Sequence, residues 1–339
     1  MTISVPSDAV TSPPHNRAEP LRHQVLAALA QHRITTTGQL RRMLRPDGTR
    51  QLISRVLNKL RSDGFVDYTV LPGSDRSRTH AWYLTPDGAR LTRDLPILRG
   101  RPPYPITSTT AASLKTAHTL TVVRAHLAFA ADARRLGHEH GPWDWTPEVS
   151  HSIGEGERVV ADAVMYYTVI KGEQRRKLRA FVEVDRATMS GERLAVKLIE
   201  YARLHQYEAQ PVGRRRHAAA EPGWMRWYPV FPRLLFVLTG ASHSRLEGRI
   251  SDLQAMTAQH PLVTALAREV PLGAAVLEDL EQHGPTQNMW TPLTGGAPRP
   301  WVDLYHRRPS AGGPSWVGRS LTSAISASAS RSDPPFGRR

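Results

Sequence analysis

Apolar side chains recur at helical spacing in three stretches near the start of the chain. Leu21, Val25, Leu26 and Leu29 share one face of a short helix over 21–30. Thr35, Thr36 or Thr37 can cap a second helix running through Leu44, with Leu40, Met43 and Leu44 inward. Pro46-Asp47-Gly48 makes a turn, and a third helix follows over 49–62. Its inner stripe is Leu52, Ile53, Val56, Leu57 and Leu60, and Asp63-Gly64 stops it. The period then shortens to that of strands, over 65–71 and 80–85, around the polar tip PGSDRSRT. Thr85-Pro86-Asp87-Gly88 restarts a helix, because Pro loses nothing at a position whose N–H has no partner.

Beyond residue 110 the pattern is that of an α/β chain. A long helix is predicted over 113–136, strands over 143–149 and 159–167, a charged hairpin turn over 171–177, and a strand over 179–184. A helix over 191–207, the almost wholly apolar strand 234–239, a helix over 262–268 and a short strand near 274–277 complete it. Four prolines between Asp94 and Thr110 mark a linker. The division expected is a disordered start at 1–17, a mainly helical domain at 18–95, a linker at 96–110, an α/β domain at 111–306, and a disordered Ser-, Ala-, Gly- and Arg-rich tail at 307–339.

Composition sharpens this only in part. The 339 residues carry a formal net charge of +15, with 45 basic residues against 30 acidic ones. That balance favours a polyanionic partner, since neutralising phosphates releases counterions. Only five of the 45 are Lys, an Arg bias that a GC-rich genome also produces, and the excess is spread along the chain. Position says more than total charge. The outer face of the third helix carries Arg50, Gln51, Ser54, Arg55, Asn58 and Lys59 with no acid among them, and the tip between the strands carries Arg76 and Arg78. Amide and guanidinium groups suit base edges, and the arginines of the tip suit phosphates or the minor groove. Double-stranded DNA is the partner expected. The chain has no cysteine, which excludes disulfides, Cys-based zinc sites and thiol nucleophiles. No apolar run approaches the ~18 residues that span a bilayer, and the start lacks a secretory pattern, so a cytoplasmic protein without membrane contact is expected.

The second half holds the candidate chemistry. Asp162 sits in VVADAVMYY, and Glu183 and Asp185 end the strand in FVEVDRAT. Residues two apart on a strand point to one face, and Asp162 on a neighbouring strand can join them. Three carboxylates on one face repel unless a cation sits among them. Mg2+ is one such cation, and Lys197 or Arg193 on the following helix is the protein's own alternative. A second reading stays open, in which Glu183, Asp185, Arg186 and Lys197 form an internal salt-bridge network with no metal. His118 on the long helix suits an interior hydrogen bond. His138-Glu139-His140 lacks metal-ligand spacing. Arg214-Arg215-Arg216, near Trp224 and Trp227, is either a solvated insertion or a backbone contact.

Three resemblances follow from these residues. LNKLRSDGFVDY followed by HAWYLTPDGARL resembles bacterial winged-helix regulators, which implies a helix in the major groove and a strand hairpin beside it. The strands bearing Asp162 and Glu183 resemble the PD-(D/E)XK nuclease-like fold, with Ala161-Asp162 at the Pro-Asp position and Asp185 at the lysine position. That resemblance implies Mg2+ at Asp162, Glu183 and Asp185, with Lys197 as the lysine on a neighbouring element. Finally, KTAHTLTVVRAHLAF, FVEVDRATMSGERLAVKLIEYARL, FPRLLFVLTG and MWTPL resemble bacterial replication-relaxation proteins over most of 18–295. The fold class expected is α/β (α+β), a winged helix-turn-helix followed by a restriction-endonuclease-like domain. The resemblance implies a DNA-binding protein of a plasmid or mobile element acting in replication, relaxation or transfer, beside plasmid replication or transfer proteins, with a nuclease-like domain that does not cleave. The alternatives are a Mg-dependent endonuclease or nickase with Asp162, Glu183, Asp185 and Lys197 as its catalytic set, and a winged-helix transcription regulator.

Overall fold

The computed structural model describes residues 20–71, 79–98, 106, 109–154, 156–188, 191–208 and 222–304. Arg76, Arg78, Arg214–Arg216, both chain ends and most of 96–110 lie outside the described residues.

Helix α1 (Leu21–His32) buries Val25, Leu26 and Leu29. Arg33, at φ 65°, breaks it and turns the chain into a strand absent from the sequence reading, β1 (Ile34–Thr36). Thr36 then caps α2 (Thr37–Leu44) in a reciprocal box: its hydroxyl accepts the Gln39 N–H at 3.2 Å, and its own N–H donates to Gln39 Oε1 at 3.0 Å. Arg41 Nη1 donates to Pro46 O at 2.7 Å and fixes the turn into α3 (Arg50–Ser62). Of the stripe expected on α3, Ile53, Leu57 and Leu60 are buried and Val56 is half-buried. Leu52 departs from it and stands 41% exposed among the polar residues. Strands β2 (Val66–Leu71) and β3 (Thr79–Leu84) pair antiparallel, and β1 adds to the other edge of β3, giving the order β1-β3-β2. Thr85 caps α4 (Pro86–Thr92), and its hydroxyl also donates to Gly64 O at 2.6 Å.

The remaining elements build a mixed six-stranded sheet. Helix α5 (Thr109–Leu136) precedes β4 (Trp145–Ser152), β5 (Arg158–Lys171) and β6 (Gln174–Asp185), which run as an antiparallel meander. Helix α6 (Gly191–Gln206) crosses over to β7 (Arg233–Leu238), parallel to β6. Then follow α7 (His243–Gln259), α8 (Pro261–Glu269), β8 (Leu272–Val276), α9 (Leu277–His283) and the edge strand β9 (Thr291–Pro292), in the sheet order β4-β5-β6-β7-β8-β9. The molecule is thus of mixed α/β class. Side chains of α6, α7 and α8 cover the sheet face that carries Phe181, Leu234 and Phe236. Helix α5, α9, Trp290 and Trp301 cover the face that carries Ala180, Val182 and Val184.

Two expectations give way here. The turn over 171–177 shrinks to Gly172-Glu173, because Lys171 already pairs with Gln174 and the strands continue through the charged residues. Helix α7 falls where no element was expected. Its buried residues Leu246, Ile250 and Leu253 have helical spacing, diluted by the polar residues of HSRLEGRISDLQ.

Helix α5 belongs to both halves of the molecule. Val123 and Leu127 on it join the core formed by α1, α2, α3 and β3, while Val122, Ala125 and Phe129 join the core of the large sheet. Polar contacts cross at the same place. Gln31 Nε2 donates to Pro142 O at 2.9 Å and Trp145 O at 2.5 Å, Gln39 Nε2 donates to Leu120 O at 2.9 Å, and Arg33 is ion-paired with Glu148.

Candidate functional site

Strand alternation sends Phe181, Glu183 and Asp185 to the face covered by α6 and α7. Asp162 lies one step past the last β5–β6 pair, Ala163 with Val182. The residue facing it on β4 is Glu148, held at φ 50° between the pairs Pro147–Ala163 and Val149–Ala161, so the sheet is distorted where Asp162 sits. Asp162 uses this freedom to reach two neighbours. Its Oδ2 accepts the Val184 N–H at 2.8 Å, and its Oδ1 lies 3.1 Å from Nε2 of His118, on α5. The hydrogen bond to Asp162 raises the His118 imidazole above its ordinary value.

Glu183 is 4% exposed, and its Oε1 accepts the Tyr201 hydroxyl of α6 at 2.5 Å. Its Oε2 lies 3.7 Å from Lys197 Nζ, one helical turn before Tyr201. Lys197 also donates to Val160 O at 2.8 Å and stands 3.6 Å from Glu200. Burial, and next the charge of Asp162, push the Glu183 carboxyl up to about 8, so it is largely protonated at neutral pH. Burial also pushes the Tyr201 phenol far up, which leaves it a donor. Asp162, Glu183 and Lys197 therefore converge, with His118 and Tyr201 added.

Asp185 does not share this contact. It is 2% exposed and faces α7, where its Oδ2 accepts from Arg249 Nε at 2.9 Å. Arg193 is exposed, on the outside of α6. Mg2+ needs several oxygens aimed at one point. Here the oxygens of Asp162 are engaged by His118 and Val184, one oxygen of Glu183 by Tyr201, and Asp185 by Arg249. No group of three His, Asp or Glu among the described residues has the spacing to hold a metal ion. The carboxylates as placed do not fit a three-ligand Mg2+ centre.

The outward face of α3 is laid out as its sequence suggests. Arg50, Gln51, Arg55, Asn58 and Lys59 are exposed and Ser54 is half-buried. Arg50 and Arg55 have no ion pair among the described residues, whereas Lys59 is held by Asp63 at 2.7 Å. The His138-Glu139-His140 run splits three ways, to Tyr167 Oη, to Arg175 and to Tyr166 O.

Comparison with known proteins places this arrangement. Residues 26–214 match the family model described as replication-relaxation, more than half of the chain. The chain belongs to the replication-relaxation family. The matched span runs from α1 through α6 and contains Arg50, Arg55, His118, Asp162, Glu183, Lys197 and Tyr201. Arg249 lies outside the family match, on the helix the sequence pattern hid. No curated protein and no solved structure matches the chain. No helix among the described residues is long and apolar enough to cross a membrane.

The sequence reading missed the Arg249 partner of Asp185 and the Thr36–Gln39 box. The T-x-x-Q spacing of the box was available as a signal, whereas the Arg249 contact spans 64 residues and left none.

Proposed function

We propose that this replication-relaxation protein binds double-stranded DNA through α3, on a plasmid or other mobile element, and acts in its replication, relaxation or transfer beside other replication or transfer proteins in the cytoplasm. The observation that carries the reading is the acid-free exposed face of α3. Two arginines with no ion pair among the described residues stand there, on a helix whose opposite side is buried against α1, α2 and β3. Three helices with a three-stranded sheet support a winged helix-turn-helix, in which α3 enters the major groove.

The order α5-β4-β5-β6-α6-β7, with acids on β5 and β6, supports a nuclease-like second half. The pairing of Asp185 with Arg249 and the proton on Glu183 support a non-cleaving role for it. Arg50→Ala/Arg55→Ala/Lys59→Ala should abolish the gel shift of a duplex, and an unchanged shift would refute the DNA reading. Supercoiled plasmid incubated with the protein and Mg2+ or Mn2+ should stay intact. Nicking that disappears with Glu183→Ala would replace the non-cleaving reading with that of a metal-dependent nickase.

A further inference from the structure

The outer part of the β5–β6 hairpin has two unlike faces. On one side its outer part is sealed: Tyr167, Val169 and Leu178 are buried in the core with Trp301 and Val302. On the other side the cross-strand pairs are Tyr166 with Arg179, Thr168 with Lys177 and Ile170 with Arg175. Here Arg175 and Lys177 are exposed, and Tyr166, Thr168, Ile170 and Arg179 are half-buried. The stretch 171–179, KGEQRRKLR, carries five cations and one acid. Arg175 is ion-paired with Glu139, Arg179 lies over the Tyr166 ring at 5.5 Å, and Lys177 has no ion pair among the described residues.

The geometry points to this face as a second phosphate-binding surface, for the backbone of the duplex that α3 holds. The inference rests on the DNA reading above and extends it to the second half of the molecule. Three observations carry it. The cations occupy every second residue of one strand, about 6.8 Å apart. One strand of B-DNA carries a charge per ~3.4 Å of axis, and because its backbone also winds around that axis its phosphates lie farther apart than this rise, on the scale of such a row. One edge of the hairpin is tied to the segment that faces the approach to α3. Residues 138–144 line a cleft opposite Met43–Pro46, where α2 ends and the turn into α3 begins, and Glu139 within them bridges to Thr168 on the hairpin. Finally, Lys177 is exposed with no ion pair among the described residues and Arg175 is held only by a solvent-exposed pair, which adds little to folding, whereas Arg176, on the packed side, donates to Val302 O at 3.1 Å.

The test uses the full chain and duplexes of one and of three helical turns, in fluorescence anisotropy at several salt concentrations. Two hairpin variants are compared with Arg50→Ala/Arg55→Ala: the triple Arg175→Gln/Lys177→Gln/Arg179→Gln, and the single charge reversal Lys177→Glu, which disturbs no packed side chain. The hairpin variants should bind the one-turn duplex as the wild type does and lose affinity for the three-turn duplex. For the triple variant the slope of log K against log salt should flatten by about 2.7, at ~0.9 per phosphate contact. If both hairpin variants keep the wild-type affinity and slope on the long duplex while the α3 variant weakens, the hairpin is not a DNA surface and α3 stands alone. If the wild type binds neither duplex, the α3 reading and the hairpin fall together.

Discussion

Replacing Arg249 with Met tests whether Asp185 is a structural anion. The substitution removes the cation from a carboxylate that is 2% exposed and leaves a side chain of similar length in place. Arg249 itself is 8% exposed, so water reaches neither partner easily. At the observed Nε···Oδ2 distance of 2.9 Å, the attraction is about 6 kcal/mol at an effective dielectric of ~20. Desolvation of both groups cancels much of that, so the pair adds little over two apolar residues. Breaking it from one side costs about 3–5 kcal/mol, because one charge stays buried alone. Arg249→Met should therefore lower stability by that amount in urea titrations at pH 7, whereas Asp185→Leu/Arg249→Met should return to within about 1 kcal/mol of the wild type. Asp185→Leu alone strands the buried guanidinium in the same way, so the double variant should be more stable than either single variant. The double variant should still bind duplex DNA, since α3 is untouched. A single variant as stable as the wild type, or a double variant as unstable as the single, would refute the assignment of Asp185 to structure.

Glu183→Gln probes the other buried acid. Its carboxyl rises from an ordinary 4.5 to about 8 in the fold, so the folded state holds a proton that the unfolded chain releases. The stability this contributes is complete below pH 4.5 and is lost as pH rises towards 8. The Gln variant should flatten that decline and be more stable than the wild type at pH 8, by several kcal/mol in urea titrations. Parallel pH profiles for the two proteins would show that Glu183 ionises normally. Gly88→Ala places a methyl group 1.9 Å from Phe65 O, at the junction of α4 with the strand hairpin. It should cost about 3 kcal/mol and weaken duplex binding, and a loss below 1 kcal/mol would show that the junction yields.

What the sequence disclosed follows from the range of each interaction. The α1 to α4 order was legible, because helix stripes and the Thr85-Pro86 start act within four residues, whereas the choice of Thr36 among three threonines as the cap was not. The pairing of acids on β6 was legible too, since strand alternation is local. What lay beyond reach was set by contacts distant in sequence. Leu52 falls on the helical stripe yet faces solvent, because α1 and β3 cover only the side bearing Ile53, Leu57 and Leu60. Three carboxylates looked like one cluster until Arg249 took Asp185 from it across 64 residues. His118 was legible as a satisfied histidine, and its partner Asp162 emerges only from the packing of α5 against the sheet.

The joint between the two halves gives these local features a common purpose. Gln31 reaches two backbone carbonyls at once, and a shift of α1 by one residue would strand buried polar groups at about 1–3 kcal/mol each. Behind it, His32 stacks on His126 with ring centroids 5.2 Å apart, and His126 meets His140 edge-on. Burial pushes His126 far down and His140 down to about 4, so these two rings meet uncharged at neutral pH. Next to it, Arg33 pairs with Glu148, the residue in the left-handed conformation that faces Asp162. The end of α1 and the Asp162 cluster are therefore tied through Glu148 of β4. A duplex on α3 would meet the second half in one fixed orientation, set by packing rather than by the reach of a tether. Sharing α5 between two cores produces that constraint, since neither half can tilt without opening a cavity at Val123 and Leu127.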